Sequence, residues 1–130
     1  METIQEKQTY KGKLADFSFD EQGVFYSFSK RGNRSIETLK EDLLMIKNIL
    51  GNEKVCIIID NSFTKAYDIE MIQYTIKEYP KLFKAVAFVP HSPIGKMISS
   101  ILTTLNPSNS IPIEMFDDKN AARKWIKQYQ

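Results

Sequence analysis

The run Val55-Cys56-Ile57-Ile58-Ile59, closed by Asp60, constrains this chain more than any other feature. Four of its five residues are β-branched, which stiffens χ1 and favours extended backbone. A strand with one wet face alternates apolar and polar residues. An unbroken apolar run predicts a strand covered on both faces, as in a parallel sheet. Parallel neighbours need crossover connections, so helices are expected on either side of it. The run is far short of the ~20 apolar residues that a membrane span requires.

The flanking segments supply those helices. Ser35 is placed to cap a helix with Glu37 in its first turn, where the helix dipole favours an acid. Ile36, Leu39, Leu43, Ile46 and Leu50 recur at spacings of three and four, and Gly51 stops the helix. Asp68 caps a second helix through about Glu78, with Ile69, Ile72, Ile76 and Tyr79 on one side and Pro80 as its end. Ala85 to Val89 is a further buried strand. Ser92-Pro93 then reads as a cap followed by proline in the first helical position. The helix it opens carries Ile94, Met97, Ile98, Ile101, Leu102 and Leu105, and Asn106-Pro107 closes it. Ile113 to Phe116 is the last strand. Asp117 or Asp118 caps a final helix containing Ala121, Ala122, Trp125, Ile126 and Tyr129.

The amino-terminal part reads differently. Tyr10 to Phe19 places Ala15, Phe17 and Phe19 on one side. Asp20-Glu21-Gln22-Gly23 is a turn cluster, and Val24 to Ser29 follows with Val24, Tyr26 and Phe28 facing one way and Phe25 the other. Two such runs around a short Gly-containing loop predict an antiparallel hairpin. The expected order is β-β-α-β-α-β-α-β-α, an α/β domain with a mostly parallel sheet and helices packed on it.

Composition agrees with one domain over residues 1–130, the first seven loosely held. The chain has 18 basic and 16 acidic residues, a net charge of +2, 42% apolar residues, and only five glycines and five prolines. Such a balance excludes a collagenous or wholly disordered chain. The single cysteine, Cys56, leaves no partner for an internal disulfide or a Cys-based zinc site and reads as a buried small hydrophobe. The polar start, Met1 to Lys7, predicts no signal peptide and a cytoplasmic location, with no integral membrane segment.

The pattern, with the residues that fill it, resembles the STAS domains of the SpoIIAA-like fold. It resembles most a set of small free-standing bacterial SpoIIAA-like proteins. The matching stretches are Val55 to Asp60, Lys84 to Val89, His91 to Lys96, Ile111 to Phe116 and Ala121 to Ile126. The resemblance implies a regulatory module that binds a protein partner. In antagonist STAS domains an Asp-Ser-Ser-Gly-like helix start carries a serine that a partner kinase phosphorylates. Here Asp60 fits the strand end and Asp68 the cap, but Ile69-Glu70-Met71 follows, with no serine in place.

The residues themselves offer few catalytic groups. His91 and Ser92 are adjacent, and adjacent side chains rarely face one another, so a cap beside a loop histidine is the plainer reading. Asp60, Ser62, Thr64 and Asp68 lie where α/β sheets usually bind ligands, and are candidates for a partner contact. They serve equally as turn-making groups. Ser92, Gly95 and Lys96 at a helix start are candidates for an anion site. No glycine-rich nucleotide motif is present and no cofactor is expected. The basic loop Lys30-Arg31-Gly32-Asn33-Arg34 is too small a patch for nucleic acid and reads as solvated. Met97, Ile98, Ile101, Leu102 and Leu105 of the third helix cover more than one narrow stripe. That suits plain core packing, a dimer or partner face, or a cleft for a small apolar ligand beside helix 92–105. SpoIIAA-like domains are grouped by fold with the CRAL-TRIO lipid-transfer domains, so the resemblance gives the cleft reading a motive. The expectation is therefore a non-enzymatic interaction module, a homodimer in its simplest form. A carrier or sensor of an apolar ligand such as a lipid is the alternative.

Overall fold

The computed structural model describes residues 8–64 and 67–130; residues 1–7, expected to be loosely held, lie outside them. Six strands form one sheet in sequential order: β1 (Thr9–Lys11), β2 (Ala15–Phe19), β3 (Phe25–Ser29), β4 (Val55–Asp60), β5 (Phe83–Phe88) and β6 (Ile113–Met115). The first two pairings are antiparallel and the remaining three are parallel. The helices are α1 (Ile36–Leu50), α2 (Ile69–Leu82), α3 (Pro93–Leu105) and α4 (Lys119–Ile126), and a short 3₁₀ turn, Lys127–Tyr129, follows.

Each helix starts where its capping residue stands. The side chains of Ser35, Asp68, Ser92 and Asp118 accept from the backbone N–H groups of Thr38, Met71, Gly95 and Ala121. Pro80 does not end α2. Its missing N–H costs one bond in the last turn, yet the helix runs on to Leu82, and the Phe83 N–H donates to the Tyr79 carbonyl.

The expected single strand from Tyr10 to Phe19 is two strands, so the sheet gains one at its edge. The chain reverses at Gly12, whose N–H donates to the Ala15 carbonyl. A Cβ on Gly12 would lie 2.6 Å from that carbonyl oxygen and 2.8 Å from both Asp42 Oδ2 and a Phe17 ring carbon. Asp42, on the inner face of α1, accepts from the N–H groups of Lys13 (2.6 Å) and Leu14 (2.8 Å). A buried carboxylate thus satisfies a reversal that would otherwise leave backbone donors unpaired.

The strands carry two separate cores. On one face Phe17, Phe25, Ile57, Ile59, Phe83, Val86 and Phe88 pack against Leu39, Leu43 and Ile46 of α1, Met71 and Ile72 of α2, and Ile98 and Leu102 of α3. On the other, Val24, Tyr26, Cys56, Ile58, Ala85, Ala87 and Val89 pack against Ala122 and Ile126 of α4. A register irregularity at Val55/Cys56, opposite Phe83 and Ala85, puts Phe83 on the same face as Val86 and leaves Lys84 exposed. Right-handed crossovers in one direction along the sheet place α1, α2 and α3 together. The helix starts of all three therefore gather at the carboxyl ends of β3, β4 and β5.

Candidate functional site

That carboxyl edge is where the sequence candidates meet. Asp60 ends β4, and its Oδ1 accepts from the Ser62 N–H at 3.0 Å and from the Ser62 hydroxyl. The pair is an Asx turn that shapes the loop. The Thr64 N–H donates to the Asn61 carbonyl at 3.1 Å, and the Phe63 N–H donates to Ser29 Oγ at 2.9 Å, tying this loop to β3. Thr64 is buried, whereas Phe63 projects, with the Arg31 guanidinium 5.0 Å from its ring centre.

Asn61 was not among the sequence candidates, yet it bolts the site together. It is 5% exposed, and its Nδ2 donates to the Gly95 carbonyl (3.2 Å) and to Ser99 Oγ (2.8 Å). This draws α3 onto the loop after β4. Gly95 is the residue that permits the approach, since a Cβ there would stand 2.8 Å from the Asn61 carbonyl oxygen and 2.9 Å from Ser92 Oγ. Asp68 accepts from Met71 at 2.9 Å and Ser92 from Gly95 at 3.0 Å. Lys96 and Met97 are exposed on the opposite side of the first turn of α3, and Ile101 is half-buried. His91 is exposed, and the Ser92 hydroxyl is engaged as the helix cap.

The basic loop is not simply solvated. Arg34 turns inward, and its Nη2 donates to the carbonyls of Lys30 (2.8 Å) and Leu14 (3.3 Å). Burial lowers its pKa, partly offset by the nearby Tyr67 and Asp42. Tyr67, at the end of the same edge, shares a hydrogen bond with the Thr75 hydroxyl. Burial pushes its phenol up to about 12, against the opposing effects of that bond and of Arg34. Burial likewise raises Tyr79, and the facing Tyr67 adds to the rise.

Behind this edge lies a partly enclosed cavity of about 70 Å³ between the sheet and helices α1 to α3. Asp60, Asn61 and Thr64, with Ser27, Ser29, Arg34 and Tyr67, contribute its polar wall. Phe17, Leu43, Ile46, Ile57 and Phe83 are among its apolar lining. Of the candidate residues on α3, Ser92, Gly95, Lys96, Met97 and Ile101 all stand outside this lining, to which α3 contributes Ile98 and Leu102. Among the described residues no group of three His, Cys, Asp or Glu side chains is placed to hold a metal ion. Nor is any helix long and apolar enough to cross a membrane. Cys56 is buried on the α4 face, and burial raises its pKa.

The order of strands, the antiparallel amino-terminal hairpin and the helix placement define a SpoIIAA-like fold. A solved structure shares it: an uncharacterized protein of the DUF3478 family from Shewanella loihica PV-4, described as having a SpoIIAA-like fold. The two superpose with a TM-score of 0.55 over 97% of this chain and 98% of the other, at 15% identity. Residues 17–130 match the model of a domain of unknown function, DUF7793, and the chain belongs to that family. No curated protein matches the sequence.

Proposed function

We propose that this domain is a non-enzymatic interaction module that binds a protein partner through the carboxyl edge of its sheet. One observation carries the reading. Seven large apolar residues are exposed among the described ones, and four of them belong to this edge: Phe63 (45%), Ile69 (65%), Ile94 (42%) and Met97 (56%). They sit on the loop after β4, at the start of α2 and in the first five residues of α3. Exposed apolar groups rimmed by polar ones mark contact surfaces. Asp60, Ser62, Asp68 and Lys96 supply that rim, and Arg31 stacked on Phe63 adds a cationic anchor of the kind enriched at interfaces.

The chemistry of the edge suits binding better than turnover. The Ser62 hydroxyl is held in a turn bond by Asp60, which also takes the Ser62 N–H, and the Ser92 oxygen accepts the cap N–H of Gly95. Ile69-Glu70-Met71 after Asp68 gives a kinase no hydroxyl at the first turn of α2. A partner would therefore be released by something other than phosphate at that turn. The partner is a different protein or a second copy of this chain. Crosslinking the purified domain, alone and in extract of its native host, distinguishes these. The reading requires that Phe63→Glu with Ile94→Glu abolish the crosslinked species while leaving the fold intact. Unchanged crosslinking in that double variant would reject it.

A further inference from the structure

We propose that the cavity behind the carboxyl edge is a binding site for a small uncharged amphiphile, a molecule with an apolar body and one group that both donates and accepts a hydrogen bond. The inference is independent of the partner reading, since it concerns the interior of the domain.

Two unsatisfied atoms point to it. Asn61 Oδ1 and Arg34 Nε are both buried, and neither has a hydrogen-bond partner among the described residues. Both side chains line the cavity. The orientation of the Asn61 amide is fixed, because its Nδ2 is the end that donates to the Gly95 carbonyl. Its Oδ1 therefore needs a donor, and Arg34 Nε needs an acceptor. Buried polar atoms are rarely left so, and each one unpaired is costly. A hydroxyl or a primary amide carries both a donor and an acceptor.

Charge selects against ionised ligands. Among the described residues, three charged side chains line the cavity: Arg34, Asp42 and Asp60. The two carboxylates already accept from Lys13, Leu14 and Ser62. Arg34 is likewise engaged by the Lys30 and Leu14 carbonyls, so an ion of either sign would meet attraction and repulsion together and would lose its hydration without a free counter-charge. Size limits the rest. At roughly 10–15 Å³ per water-sized volume, about 70 Å³ holds on the order of five water-sized groups. The apolar body then rests among Leu43, Ile46, Ile57 and Phe83.

Methyl-resolved NMR titration of the full chain with butyramide, butyrate and butylammonium tests this. Butyramide is expected to shift the Leu43, Ile46 and Ile57 methyls saturably, with the two ions at least tenfold weaker. Ser27→Leu, which fills the polar end of the cavity, is expected to abolish the shifts while the rest of the spectrum stays native. Should Ser27→Leu fail to fold, Ser27→Val serves the same purpose. The proposal is overturned if butyramide leaves those methyls unmoved, which would mean that the cavity holds water only. Equal binding of the ions, or shifts that persist in the filled variant, would overturn it as well.

Discussion

The two faces of the sheet solve the same problem with different side chains. Three helices cover one face and one short helix the other. On the α4 side, β5 presents Ala85 and Ala87, which meet Ala122, so an eight-residue helix comes close enough to seal the face. A buried acid then locks it. Asp20 accepts from the Gln22 and Val24 N–H groups and pairs with Arg123, which also donates to the Tyr26 hydroxyl. On the other side, β5 presents Phe83, Val86 and Phe88. The polar-walled space behind the carboxyl edge lies within this core of large residues. Small residues give a tight seam; large ones give a core with room in it.

The comparison breaks most visibly if its large residues are cut. Phe25→Ala, fully buried on the three-helix side, is expected to cost about 3–5 kcal/mol in urea denaturation. Next comes Asp42→Ala, which strips the acceptor from two backbone N–H groups at the β1–β2 reversal; about 2–3 kcal/mol is expected by the same measurement. A matched pair sharpens the point. Ala87→Leu overpacks the α4 seam and should cost about 1–3 kcal/mol, whereas Ser27→Leu, entering the cavity, should cost well under that.

The pH dependence follows from Tyr67. Its folded pKa of about 12 lies above the ordinary value of 10.0, so the fold favours the neutral phenol. That contribution is complete below pH 10 and is lost as pH rises toward 12. At about 1.4 kcal/mol per unit, roughly 2–3 kcal/mol is at stake. Tyr67→Phe should flatten the stability profile between those limits relative to the wild type. The smallest effect belongs to the exposed pair Lys81–Glu78, where Glu78→Gln should change stability by less than about 0.5 kcal/mol.

What the sequence reveals follows the range of the interactions. Asp20 acts on Gln22 and Val24, two and four residues away, and its turn is legible as Asp-Glu-Gln-Gly. Asp42 acts on Leu14, 28 residues away, and is hidden among Leu39, Leu43 and Ile46 on an apolar helix face. An acid at a core-facing position, with Gly12 breaking the long amino-terminal run, was the available signal for the extra strand. The four caps, the buried strands and the alternation at Val24 to Phe28 are local patterns, and the structure carries them. Ile94, Met97 and Leu105 separate from Ile98 and Leu102 only when α3 has a sheet to face, so an apolar list could not say which half is exposed. Asn61 was silent for the same reason. Its partners are Gly95 and Ser99, brought near by the crossover through α2 and β5.

The partner-binding edge is the central claim, and affinity capture from the native host with wild type and the Phe63→Glu/Ile94→Glu variant tests it most directly. The account predicts a defined protein, or a second copy of this chain, held by the wild type and lost from a variant whose far-UV circular dichroism is unchanged. Recovery of the same partner by both proteins would contradict it.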